Sequence, residues 1–248
     1  MSTRIDTVRS TDTALPNRVL TVIRMNSVDS VNRVGGPWLI LAAIFVVNLA
    51  IWWAIRANVD DPGAGTTGAL SALFIIVGSM YLVTMTQVMP FAISLGLTRR
   101  HFYLGVSVLL ALETLLHAVV LTAMLGIERM TGGWGVGTNF FSMTFMPEQG
   151  PVLQVLTYWG PLLTFGFVFL ALGAVFRRWG QIGIWTIALA LLLVVGAIVF
   201  ALTWQSAWPA FGRFFVETPV PLLLAGYPLI LGAVAAVGGY LVIRRARL

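Results

Sequence analysis

Residues 181–204 read QIGIWTIALALLLVVGAIVFALTW, twenty-four consecutive positions without a charged side chain. As an α-helix this run is about 36 Å long, enough to cross the roughly 30 Å hydrocarbon core of a bilayer. Inside that core the backbone must satisfy its own hydrogen bonds, so the run is read as a transmembrane helix.

Five more stretches read the same way, and the expected spans lie at about 37–55, 68–95, 103–127, 151–176, 181–204 and 220–243. The 248-residue chain is 58% hydrophobic and 10% charged, more apolar surface than a soluble fold can hide. Six spans of roughly 20 residues use about half of the chain and leave short loops with no room for a second soluble domain. The expected organisation is a polar segment over 1–36 and a membrane domain over 37–248, all-α throughout. Trp38, Trp52, Trp53, Tyr103, Tyr158, Trp159, Trp179, Trp185 and Trp204 sit where an interfacial aromatic belt belongs.

The polar segment carries Asp6, Asp12 and Asp29 among its arginines and has no short apolar run followed by small residues, so no signal peptide is expected. Over 15–34, Leu20, Ile23, Val31 and Val34 fall on one helical face with Val28 at its edge. Arg18, Asn26, Asp29 and Arg33 fall on the other. This pattern predicts an amphipathic helix lying on the inner membrane surface, ended by a break at Gly35-Gly36-Pro37.

Arginine placement predicts the orientation, because basic residues are retained on the cytoplasmic side during insertion. All fifteen basic residues are arginines. Arg4, Arg9, Arg18, Arg24, Arg33, Arg99, Arg100, Arg177, Arg178, Arg244, Arg245 and Arg247 fall in one set of connections. Only Arg56, Arg129 and Arg213 fall in the other, so both termini are expected in the cytoplasm. The inner connections, Gly96–Phe102 and Arg177–Gly180, are short. The outer ones are longer: 128–150 mixes glycine with aromatics and methionine, and 205–219 is apolar yet proline-broken, which suggests a re-entrant or interfacial segment. The charge is membrane-anchoring charge spread along the chain and is no nucleic-acid footprint.

Several chemistries are excluded by residue type. With no cysteine there is no disulfide, thiolate metal site or cysteine nucleophile. With no lysine there is no G-x-x-x-x-G-K-[ST] phosphate loop. There is no H-E-x-x-H and no G-x-S-x-G, and the two histidines, His101 and His117, belong to different depths, so no metal site is expected. One ionisable intramembrane cluster remains, Glu113 with His117, four residues apart on one helical face. A carboxyl there is costly in lipid and should turn toward other helices, with Asn48, Thr84 and Gln87 as candidate partners. A polar clasp between helices, a contact in a translocation path and a proton relay are all open readings.

The loop Ser94–Gly105 (SLGLTRRHFYLG) follows a span bent near its inner end by Pro90. This segment resembles that of bacterial ABC-type exporter permeases of the type-2 class, in which a short coupling helix between spans 2 and 3 docks into a cytoplasmic ATPase subunit. The surface helix, the six spans with cytoplasmic ends and the apolar segment between spans 5 and 6 are similar to that class in layout. The resemblance implies ATPase coupling through Gly96, Leu97, Thr98, Arg99, Arg100, His101 and Phe102, joined by Arg177 and Arg178. Leu97 and Phe102 would form an apolar plug, and Arg99 and Arg100 would supply rim charge or hold phospholipid head groups.

It further implies that a second copy or a paralogue completes the path for an amphiphilic substrate such as a drug, a lipid or an antimicrobial peptide. ATP and Mg would be bound by the separate ATPase, and no cofactor by this chain. The expected location is the bacterial cytoplasmic membrane. Two readings from other classes stay open: a secondary carrier or substrate-binding membrane component, and an intramembrane enzyme using Glu113 and His117.

Overall fold

The computed structural model describes residues 30–60, 63, 65–142 and 150–244. Most of the expected amphipathic helix, up to residue 29, lies outside the described residues, as do Arg4, Arg9, Arg18, Arg24, Arg245 and Arg247 of the orientation count.

Among the described residues seven α-helices follow one another: α1 (Ser30–Asn58), α2 (Ser71–Val83), α3 (Met89–Ser94), α4 (Arg99–Met130), α5 (Pro151–Trp204), α6 (Trp208–Glu217) and α7 (Tyr227–Arg244). Among the described residues, five helical segments are long and apolar enough to cross a membrane: Arg33–Asn58, Ser71–Ser94, Arg99–Met130, Pro151–Trp204 and Leu222–Arg244.

The break expected at Gly35-Gly36-Pro37 is absent, and α1 runs through it. Pro37 is buried and the two preceding glycines carry no side chain to crowd its ring. Apolar surroundings favour keeping the remaining helical hydrogen bonds, which is why proline is tolerated in such helices. Between α2 and α3 the chain stays helical through a π-helical turn, Thr84–Val88. The wider turn relieves the clash that Pro90 would otherwise make with the carbonyl one turn back.

The 54-residue α5 would be about 81 Å long if straight. It is broken at Gly180, whose φ of 63° and ψ of −151° belong to a region open essentially to glycine alone. The connection expected over Arg177–Gly180 is therefore a corner made by one residue, with two long apolar arms on either side of it. α6, between the second arm and α7, is a ten-residue helix none of whose side chains is buried.

The first arm of α5 is the hub, packed against α2, α4 and α7. Glycines allow the close approach: a methyl added at Gly173 would lie 2.6 Å from Met85 Cβ, and one at Gly160 would lie 3.0 Å from Ala225 Cα. Leu110, Leu121, Leu162, Leu170 and Phe102 fill the core between these helices. The second arm differs. Every residue from Trp185 to Ala201 is exposed, so no other part of the described chain covers it.

α4 and α7 are tied near one end by the Tyr103 hydroxyl, which donates to Ala236 O at 2.7 Å. Arg99, Arg100, Arg177, Arg178 and Arg244 share that end. At the opposite end a short parallel pairing, Gly65 with Thr138 and Thr66 with Asn139, clips the α1–α2 connection to the α4–α5 connection.

Candidate functional site

Glu113 sits fourteen residues into α4, about 21 Å along the helix from Arg99. The Tyr81 hydroxyl, from α2, donates to its Oε2. Arg33, from the first turns of α1, places Nε 3.5 Å from Oε1, with the two side chains only 12% and 14% exposed. The Arg33 guanidinium carbon also lies 5.5 Å from the centroid of the Tyr81 ring. One carboxylate thus joins three helices, its charge countered by a guanidinium that also stacks on its second partner.

These partners differ from the expected ones. Asn48 turns instead to Thr67, donating from Nδ2 to Oγ1 at 3.3 Å. The Thr84 hydroxyl donates to Met80 O at 2.8 Å within its own helix. Gln87 is exposed in the π-helical turn. His117 lies one turn beyond Glu113 without binding it: its Nδ1 accepts the Trp38 indole N–H at 2.9 Å. That acceptor role assigns the proton of a neutral ring to Nε2. Arg33 and Trp38 are the α1 residues that answer Glu113 and His117. The sequence pattern puts Arg33 on the water-facing side of a separate surface helix; the unbroken α1 instead brings it inside the bundle.

The segment expected to couple, Gly96–Phe102, is divided between a four-residue turn, Leu95–Thr98, and the first turn of α4, Arg99–Phe102, with no separate short helix between α3 and α4. Gly96 takes φ +86°, which reverses the chain at small steric cost. Thr98 caps α4: its Oγ1 accepts the His101 N–H at 3.4 Å and contacts His101 Nδ1 at 2.6 Å. The cap directs Phe102 inward, where it is fully enclosed at 0% exposure. Phe102 is therefore no apolar plug for a partner, and Leu97 is half-buried against the same core. The large apolar groups exposed around this turn are Phe91, in α3, and Leu95, in the turn itself, 60% and 62% exposed, and Arg100 at the start of α4 is exposed as well. Arg177 and Arg178 stand at the Gly180 corner, and the Arg178 guanidinium carbon lies 4.3 Å from the centroid of the Trp179 ring.

At the opposite end, sequence reasoning missed Glu128, a buried carboxylate 2% exposed. Its Oε2 accepts the N–H groups of Phe140 and Phe141 at 2.8 Å each and the Trp134 indole N–H at 2.9 Å. Its Oε1 accepts the Ser142 N–H at 3.0 Å. Phe45 of α1 packs edge-on against Trp134 and Phe140, and the Tyr158 hydroxyl donates to Phe141 O at 2.6 Å. The glycine and aromatic mixture at 128–142 is thus an ordered cap wound around one carboxylate. The only sequence signal was an acidic residue set directly before a turn rich in glycine, which offers free N–H groups.

Among the described residues no group of three histidine, aspartate or glutamate side chains gathers to hold a metal ion. Comparison with protein-family models, with curated proteins and with solved structures finds no match to this chain.

Proposed function

We infer that this chain is the membrane-embedded permease subunit of an ATP-driven exporter of the type-2 ABC class. In this reading the two arms of α5 count as separate spans, giving six, and the arginine-rich end faces the cytoplasm of a bacterial cell. A second copy or a paralogue would complete a path for an amphiphilic substrate. A separate ATPase would bind ATP and Mg, since a chain without lysine has no phosphate-loop lysine of its own.

The observation that carries the reading is the Leu95–Thr98 turn. It is short, fixed by a glycine and a capped helix, and its Leu95, together with Phe91 one turn earlier in α3, exposes a large apolar side chain at the arginine-rich end. Exposed apolar groups rimmed by positive charge suit docking to a protein partner. The docking anchors in this reading are Phe91 and Leu95 with Arg100 at the rim, in place of Phe102.

The test is reconstitution with a phosphate-loop ATPase sought in the neighbouring reading frames. Leu95→Ala combined with Arg100→Glu should abolish most of the ATPase stimulation while the permease elutes as the unaltered chain does. Full stimulation by this variant would overturn the reading. A secondary carrier without an ATPase is favoured by one observation, the Arg33–Glu113 pair between membrane helices, because intramembrane charges often mark transport paths. Transport in vesicles that contain this chain alone would select that second reading.

A further inference from the structure

An apolar crevice of about 420 Å³ opens at the Gly180 corner, lined by Val175, Trp179, Ile182, Thr186, Ile187 and Val242. Its volume falls within the roughly 300–1,000 Å³ of sites that hold small-molecule ligands. The Thr186 hydroxyl is already engaged, donating to Ile182 O at 2.8 Å, so the walls offer an occupant apolar contact and no polar anchor. Cationic groups stand close to the lining along the chain. Arg178 lies over the Trp179 ring, and Arg244 follows Val242 by two residues. Arg177 Nε is shielded from solvent and has no hydrogen-bond partner among the described residues.

Nothing described at this end balances that charge. The carboxylates among the described residues are Asp60, Glu113, Glu128 and Glu217. Asp60, Glu128 and Glu217 lie at the opposite end, and Glu113 is held by Arg33 and Tyr81. An apolar crevice therefore opens near guanidinium groups that no carboxylate among the described residues balances.

We propose that the Gly180 corner is a binding site for an anionic phospholipid, with an acyl chain in the crevice and the phosphate against Arg177, Arg178 and Arg244. Hydrocarbon from any lipid can enter an apolar crevice in a bilayer; the arginines make the site selective for negative head groups. Basic pockets between membrane helices bind such head groups, and a bidentate guanidinium suits the phosphate oxygens. The proposal rests on the chain lying in a membrane and is independent of the exporter reading.

The test uses the full chain in phosphatidylcholine vesicles that contain a minor fraction of lipid brominated on its acyl chains. Bromine quenches nearby tryptophan, and the share due to Trp179 is obtained by difference from Trp179→Phe. Brominated phosphatidylglycerol should quench that share with an apparent affinity at least roughly fivefold above brominated phosphatidylcholine, the effect of about one arginine near a head group. Replacing Arg177, Arg178 and Arg244 together by Gln should abolish the preference, and the exposed Arg244→Gln alone should reduce it. Thr186→Phe, which fills the crevice from an exposed position, should lower quenching by both lipids while leaving the arginines in place. Equal quenching by the two lipids would overturn the proposal, as would a preference that survives the arginine replacements. So would a preference erased by inorganic phosphate at unchanged ionic strength, which would assign the arginines to a free anion.

Discussion

Arg33 near the start of α1 and Glu113 midway along α4 face one another inside the bundle, with Nε 3.5 Å from Oε1. The pair fixes the level at which α1 enters the packing, and five residues later Trp38 meets His117 in the same register. α1 and α4 therefore run in parallel, joined by two polar contacts in otherwise apolar surroundings.

Removing one member of such a pair leaves a buried charge without compensation, which costs roughly 3–5 kcal/mol. Glu113→Ala should accordingly lower the thermal midpoint of the purified protein strongly. Glu113→Gln should fall between, since its amide oxygen can still accept from Tyr81. Arg33→Met combined with Glu113→Leu should recover most of the loss, because neither charge then remains. A double variant no more stable than Glu113→Ala would show that the pair does not act as a unit. If the double variant folds normally and transports normally, the cluster is a clasp and takes no part in a translocation path.

Phe102 separates core from surface at the arginine-rich end. Its enclosure predicts that Phe102→Ala creates a cavity and costs about 3–5 kcal/mol of stability. Leu95→Ala, at a side chain 62% exposed, should change stability by less than about 0.5 kcal/mol. Thermal unfolding of the two single variants measures both, and similar losses would contradict the inward rotamer of Phe102.

The helices, their apolarity and most of their limits were legible because twenty-residue apolar runs are the strongest pattern a sequence can carry. The single-residue turn at Gly180 was half legible: the charges of Arg177 and Arg178 marked a boundary, but the backbone angles that make a corner of it are not a compositional property. The partners of Glu113 were not legible. An intramembrane carboxylate announces itself by type, whereas its neighbours depend on helix rotation and on the axial offset of α1. Reading Gly35-Gly36-Pro37 as a break detached Arg33 from α1 and hid the partner. Phe102 was misplaced for a similar reason, since its position in a loop-like string said nothing of the Thr98 cap that turns it inward.

Glu128 organises the opposite end, and its role predicts a local effect. Glu128→Ala leaves the N–H groups of Phe140, Phe141 and Ser142 without their acceptor, at a cost of roughly 1–3 kcal/mol for each group that stays buried. The cap should open before the helices do. Limited proteolysis of the detergent-solubilised protein should show cleavage within 131–142 accelerated at least about tenfold, while α2, α4 and α5 remain intact; about 1.4 kcal/mol of added local opening corresponds to that factor. Glu128→Gln keeps one acceptor oxygen and should cleave at an intermediate rate. Equal cleavage of all three forms would mean that Phe45 packing, the Tyr158 hydrogen bond and the pairing of 65–66 with 138–139 hold the cap without the carboxylate.

Gly180 permits a test on a clean background, because the chain contains no cysteine. Cysteines introduced at Thr186 and Val242, which line the same crevice, should be joined by a short bifunctional thiol reagent when the corner is intact. With φ at 63° and ψ at −151°, any Cβ at position 180 is strained by about 1–3 kcal/mol. Gly180→Ala should therefore relax toward ordinary helical angles, swing the second arm of α5 away from α7 and abolish the cross-link. Because the second arm is exposed along most of its length, few contacts within the chain oppose that movement. The first arm, packed by Gly160, Gly166 and Gly173, should hold its place and preserve most of the thermal stability. A cross-link of undiminished yield in Gly180→Ala would show that contacts around Gly183 hold the corner even without a glycine at 180.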